Sequence, residues 1–297
     1  GALDGWVGNR NDILYFTYSN AKKKTKERRN EYMKLIRLAT IAALSTTILA
    51  GGATGAFAEE EGKNEVRNVD TYGHIEFTPS TDEELVVVPP EQGPDVELPT
   101  EVPETTGPLS IVKAAHMNFG KQVISNQDKT YNMVAEMQQL KGTEGDENKV
   151  PYVSFAQVQD TRGNYTGWSL NVDMSEFTSD TKNNVLTGAR IIFADSRIQY
   201  EGVDQELAPM NHAAGLELEP GKGGVTVMSA DADKGAGVSS VVWGDQADLN
   251  AQYADDEIEV VENSAIKLWV PGTTAKDATT YTSTLTWELT TTPGADA

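Results

Sequence analysis

Two residue pairs carry the clearest chemistry in the chain: Trp168 with Leu170 and Trp287 with Leu289, each a tryptophan followed two positions later by a leucine. On a β-strand, residues two apart point to the same side and stand about 7 Å apart, so each pair makes one apolar surface. Indole planes held outward in this way would stack on sugar rings or dock peptide chains. Turned inward, they would be core, and strand periodicity by itself favours core. The spacing leaves both readings open.

No other group of residues has the spacing of a reaction centre. The three histidines, His74, His116 and His212, do not stand at metal-ligand spacing from one another, and His116 is expected as a partly buried strand or turn residue. Asp231-Ala232-Asp233-Lys234-Gly235 resembles the start of a calcium loop, but Gly235 occupies the third ligand position and no Glu stands at the twelfth. Paired carboxylates can hydrolyse a glycan, yet so many acidic residues make chance pairs inevitable. Motifs of the G-x-S-x-G, H-E-x-x-H and phosphate-loop kinds are missing. With no cysteine, disulfides, thiolate metal sites and Cys nucleophiles are excluded. The expectation is a protein without catalytic residues, metal or cofactor.

The elements that must position the tryptophans are strands. In Tyr281 to Leu289, the residues Tyr281, Ser283, Leu285, Trp287 and Leu289 share one face, and Thr282, Thr284, Thr286 and Glu288 the other. Trp168, Leu170, Val172 and Met174 alternate in the same way with Ser169, Asn171 and Asp173. Ile266, Leu268 and Val270 alternate with Lys267 and Trp269, which puts Trp269 opposite the aliphatics. Residues 188–194 and 223–230 read as further strands, and only 131–140, YNMVAEMQQL, reads as a possible helix. Alternation with one buried face predicts an all-β domain built as an antiparallel β-sandwich of two packed sheets, Ig-like or related, over 108–297.

What precedes that domain has a different texture. From Met33, a basic head with Lys34 and Arg37, an apolar run from Leu38 to Ala50 and the tripeptide Ala56-Phe57-Ala58 make a secretory signal peptide over 33–58. The apolar run is shorter than the roughly 20 residues a bilayer needs, so no membrane anchor is expected after cleavage. Residues 1–32 read as an upstream read-through or an extension, Lys26-Glu27-Arg28-Arg29 being what a translated purine-rich ribosome-binding sequence would encode. Residues 59–107, rich in Pro, Glu and Asp, read as a disordered acidic linker, with Val86 to Val88 too short to alter that.

Charge narrows the partners. The formal charge is −21, but the first 58 residues hold 9 of the 24 Lys+Arg and 4 of the 45 Asp+Glu, leaving 15 against 41 and a net of −26 beyond them. Such a surface repels nucleic acid, anionic membranes and polyanionic wall polymers. Neutral glycans, peptides, cations and basic proteins remain.

Both tryptophan pairs lie in wider sequence that resembles the WxL family of Gram-positive cell-wall surface proteins. DTRGNYTGWSLNV (160–172) is similar to the family's Trp-x-Leu strand behind an Asp-x-Arg-Gly turn, and LWVPGTTAKDATTYTSTLTWELTTTP (268–293) to its closing segment. LSIVKAAHMNFGKQVIS (109–125) and LTGARIIF (186–193) also fit. The resemblance implies non-enzymatic, non-covalent attachment at the cell surface, with peptidoglycan as ligand and with WxL-interacting and other surface proteins as partners. It transfers four residues, Trp168, Leu170, Trp287 and Leu289, as ligand-binding or structural. The sequence agrees with attachment of that kind: no LPxTG signal with an apolar stretch and basic tail closes it, and no Cys follows Ala58. The alternatives are a protein-interaction subunit or adhesin that binds a WxL-interacting partner or a host matrix protein, and a wall-glycan hydrolase.

Overall fold

The computed structural model describes residues 71–79, 85–100 and 107–291. The expected read-through at 1–32, the signal peptide at 33–58 and the linker stretches 59–70, 80–84 and 101–106 lie outside the described residues. The chain divides after Gly73, and the unit that starts at His74 holds everything below.

Among the described residues fifteen strands and one α-helix follow in order: β1 (Val96–Glu97), β2 (Leu109–Lys113), β3 (Lys129–Val134), β4 (Glu136–Leu140), β5 (Lys149–Tyr152), β6 (Ser154–Asp160), β7 (Trp168–Met174), β8 (Arg190–Phe193), β9 (Arg197–Tyr200), β10 (Met210–Asn211), β11 (Leu216–Leu218), β12 (Val225–Ala230), β13 (Gly237–Trp243), α1 (Gln246–Tyr253), β14 (Glu262–Val270) and β15 (Leu285–Thr290). All pairings are antiparallel. They form four sheets, ordered β1-β4-β5, β2-β6-β13-β9, β11-β8-β14-β3 and β10-β12-β7-β15.

The all-β, antiparallel expectation holds, but the two-layer sandwich does not. Four small sheets resemble the blades of a propeller more than a pair of facing layers. Alternation says which face of a strand is buried and nothing about how many sheets share the buried volume. Three of the sheets turn their apolar faces to one core, where Val158, Leu170, Ile191, Phe193, Met228, Trp243 and Ile266 meet.

The sheet β2-β6-β13-β9 is covered on its other side too. Along β6 only Gln159 escapes full burial. Ala156 and Val158 face the main core, whereas Phe155 joins a second cluster with Tyr152, Val112, Val242 and Leu249. That second cluster corrects the linker reading. Val87 and Val96, expected in a solvated spacer, are buried in it. Gln157 holds the strap from its own strand: Val88 N–H donates to Gln157 Oε1 at 2.9 Å, and Gln157 Nε2 donates to Val88 O at 2.7 Å. Farther along, Glu91 N–H donates to the Tyr152 hydroxyl at 3.1 Å, and Glu91 pairs with Arg197. The valines supply the apolar area that a Pro-rich acidic composition conceals when averaged over 49 residues.

The expected helix at 131–140 is also corrected. The segment forms β3 and β4, separated at Ala135, whose N–H donates to Val261 O at 2.9 Å. Met, Glu, Gln and Leu favour helix only weakly, and pairing of β3 with β14 and of β4 with β5 overrides them. The helix that does form, α1, starts at Asp245, whose side chain accepts from the N–H groups of Ala247 and Asp248. Its one large apolar anchor is Leu249, buried in the second cluster.

Candidate functional site

Strand β7 follows a turn that its own charges build. Asp160, at the end of β6 and nearly fully buried, takes two bonds from the Arg162 guanidinium, Nε to Oδ1 at 2.9 Å and NH2 to Oδ2 at 2.8 Å. The same guanidinium donates to Gly167 O at 2.9 Å. This bidentate bond pushes the arginine's pKa further up, so the guanidinium stays charged at any ordinary pH. Gly167, at φ 77°, then passes so close to β12 that a Cβ there would lie 2.4 Å from Ala230 O. Only a glycine delivers the next residue, Trp168, into the core at this angle.

The two tryptophan pairs meet on one sheet. In the β7–β15 ladder Leu170 stands opposite Leu289, Val172 opposite Trp287 and Met174 opposite Leu285. All four motif residues therefore share the single apolar face that was read from alternation. Their burial differs. Trp168 and Leu170 have no exposed surface, whereas Trp287 and Leu289 are half-buried at the sheet edge. Trp168 Nε1 donates to Gly235 O at 3.1 Å, and its indole lies so close to that glycine that a Cβ at 235 would meet Nε1 at 2.9 Å. Its polar group is satisfied inside the fold, and no part of its ring is exposed.

Trp287 belongs to an aromatic chain. Its ring lies 6.3 Å from that of Trp243, which lies 5.3 Å from Phe193 and donates Nε1–H to His212 Nε2 at 2.9 Å. His212 is buried and its Nδ1 bonds Ala213 O at 2.7 Å, which makes Nδ1 the protonated nitrogen and the ring neutral. Burial lowers its pKa. The other histidines take no part: His74 is exposed, and His116, expected partly buried in a strand or turn, is exposed in an irregular segment beyond β2. The polar Asn118 two residues on, and Gly120 beyond it, keep that segment at the surface.

Two hollows flank the inner face of β15. The larger, about 860 Å³, has Tyr131, Phe177, Ile191, Leu268 and Tyr281 in its walls and the exposed loop with Gln122, Val123 and Ile124 at its mouth. The Tyr281 hydroxyl accepts from Asp277 N–H at 3.0 Å and donates to Asn183 O at 2.7 Å. Lys276 Nζ donates to the carbonyl oxygens of Ser125, Pro271 and Thr274. These bonds fasten 271–281 to the loops beside it, so the mouth has a fixed polar rim over an apolar floor, the usual build of a binding cleft. The smaller hollow, about 590 Å³, lies against Trp287 and Leu285 on one side and Ala114, Val134 and Ala135 on the other.

Sequence reasoning put each Trp-Leu pair on one face of its own strand but did not bring the two pairs together and missed the cleft. Tyr131 sat in the expected helix, and Phe177 lies in no strand. Only Tyr281, which keeps the parity of Trp287, carried a signal. Trp269 lies on the opposite face from the aliphatics of β14, as expected, with the Arg190 guanidinium 3.9 Å above its ring centre. Tyr165, exposed at φ 55°, lines neither hollow. Among the described residues no group of three or more His, Asp or Glu could hold a metal ion. Asp231 and Asp233 sit in a turn closed by Lys234 N–H to Asp231 O at 3.1 Å.

Comparison with known proteins places these features. The family model described as WxL domain, surface cell wall-binding, matches residues 64–293, taking in the strap at 85–100, both tryptophan pairs and the cleft. No curated protein and no solved structure matches the chain.

Proposed function

The chain belongs to the WxL family of surface cell wall-binding domains, and from that premise we propose that it is held on the wall non-covalently, with peptidoglycan as ligand and the 860 Å³ cleft as its seat. The family is one of binding, not catalysis. The observation that carries the assignment to the cleft is the burial of the motif that names the family. Trp168 and Leu170 have no surface to offer, so a wall polymer must be met by neighbouring side chains. The cleft offers three aromatic walls, Tyr131, Phe177 and Tyr281, for a pyranose face or a peptide stem, under a rim of hydroxyl and amide groups. A neutral ligand also suits a domain whose excess of carboxylates repels anionic wall polymers.

The test is sedimentation with purified peptidoglycan stripped of teichoic acid. Wild type pellets with the wall, while Ile124→Asp at the cleft mouth, an exposed position, stays in the supernatant with an unchanged melting temperature, and Tyr131→Ala in its wall, which loses some stability with its core contact, stays there at a temperature where it is fully folded. Wild type left in the supernatant refutes the ligand, and cleft variants that pellet normally refute the site. In this reading residues 33–58 direct export, with cleavage after Ala58.

A second reading, that the chain is one component of a surface complex with a WxL-interacting or host matrix protein, draws on charge. The net −26 beyond the first 58 residues complements a basic protein partner. Failure on peptidoglycan together with retention on beads coated with a basic surface protein favours it.

A further inference from the structure

Strand β15 is an edge. Among the described residues it is paired with β7 only. The direction of its backbone groups follows from the ladder. Ser175 N–H donates to Thr284 O, which makes Ser175 and Thr284 a hydrogen-bonded pair. In an antiparallel ladder such pairs alternate with pairs whose N–H and C=O groups point away. Met174 with Leu285 and Val172 with Trp287 are therefore of the second kind, and the backbone groups of Leu285 and Trp287 point outward from the sheet. Their side chains meanwhile line the 590 Å³ hollow. One short stretch thus presents both requirements for accepting a strand: free ladder positions and an apolar trough beside them. The edge has neither a proline nor a bulge in 285–290 to discourage this.

The same chain carries a matching donor. In His74-Ile75-Glu76-Phe77-Thr78, apolar and polar residues alternate, with β-branched and aromatic types that suit a strand. Ile75 is 72% and Phe77 84% exposed, and residues 74–79 make no hydrogen bond or ion pair among the described residues. Pro79 limits the donor to five residues, the length of Leu285–Leu289. Among the described residues of one chain, nothing pairs with either the segment or the outer side of the edge.

We propose that the segment His74–Thr78 of one copy adds as a strand to β15 of a second copy, setting Ile75 and Phe77 into the hollow beside Trp287. Donor and acceptor are different surfaces of one molecule, so the contact is heterologous and repeats head to tail. Copies on the wall would join into short rows. The hollow adjoins the wall-binding cleft, with Met117, Asn118, Ser283 and Leu285 in the walls of both.

The experiment is multi-angle light scattering on the full chain, without wall material, from low to high micromolar concentration. Wild type gains mass with concentration, and Ile75→Asp/Phe77→Asp, which alters only exposed side chains, loses that gain and stays monomeric. A synthetic peptide spanning residues 71–79 caps the wild-type association, and hydrogen exchange at the amides of Leu285 and Trp287 slows as copies associate. Wild type that remains monomeric throughout overturns the proposal, as does association untouched by the double substitution. A third outcome also overturns it: the peptide binds the double variant but not the wild-type monomer, which would place the segment on the edge of its own chain.

Discussion

Replacing Trp168 by alanine separates an adhesive indole from a structural one. A buried tryptophan removes about 150–250 Å² from water, which at about 25 cal/mol per Å² is roughly 4–6 kcal/mol. Alanine retains about 1 kcal/mol of that by its methyl group. The lost Nε1 bond leaves Gly235 O without its donor in a buried place, a cost of about 1 kcal/mol. The net loss is about 4–6 kcal/mol, at the upper end of what aromatic truncations in cores cost and a large part of the stability of an ordinary domain. Trp287, half-buried at the sheet edge, loses about half as much, ~2 kcal/mol. The assay is urea unfolding followed by far-ultraviolet circular dichroism, paired with peptidoglycan sedimentation at a temperature where each variant is fully folded. Trp168→Ala unfolds at much lower urea but pellets normally while folded. A variant that keeps wild-type stability and yet stays off the wall would refute the structural assignment of Trp168.

Other outcomes follow from the same geometry. Asp160→Asn removes the charge that orients Arg162 and costs about 2 kcal/mol in urea unfolding; Arg162→Lys shows a similar loss, because an ammonium cannot make the two-pronged bond. Gln157→Leu frees Val88 and the strap at 85–100, which limited proteolysis reports as faster cleavage before residue 100. Burial depresses the His212 pKa below its ordinary 6.5, and the native bond from Trp243 needs the neutral ring. The stability held by that neutral ring is therefore fully present above pH 6.5 and is lost as pH falls through the lowered native value. Melting temperature declines over that window in wild type, and His212→Asn flattens the slope.

Where local pattern sets the outcome, the fold was legible. From Tyr281 to Leu289 burial alternates residue by residue as the sequence alternates, and in β14 Ile266, Leu268 and Val270 are buried while Trp269 is left to Arg190. Where long-range contact decides, it was not. Nothing near Val88 announces that Gln157, 69 residues away, satisfies its backbone. Tyr131 to Leu140 contains good helix formers that become strands because β14 and β5 offer them partners. The site shows the same division. That each tryptophan shares a face with its leucine followed from parity, but that the two pairs meet on one sheet depends on the β7–β15 ladder, and which indole reaches the surface on Gly235 and β12. The rim and mouth of the cleft are assembled from loops that no periodicity describes.

The pairing of β7 with β15 also orders events in time. The two strands are more than a hundred residues apart, and β7 is flanked by β12 on one side and β15 on the other. For a chain that emerges amino-end first, from a ribosome or through a narrow pore, one flank of β7 remains unpaired until β15 has cleared the exit. Contacts of such long sequence separation form late and slowly. The sheet β10-β12-β7-β15 therefore stays open on one side until β15 emerges, and Trp287 seats after the core strands that precede it.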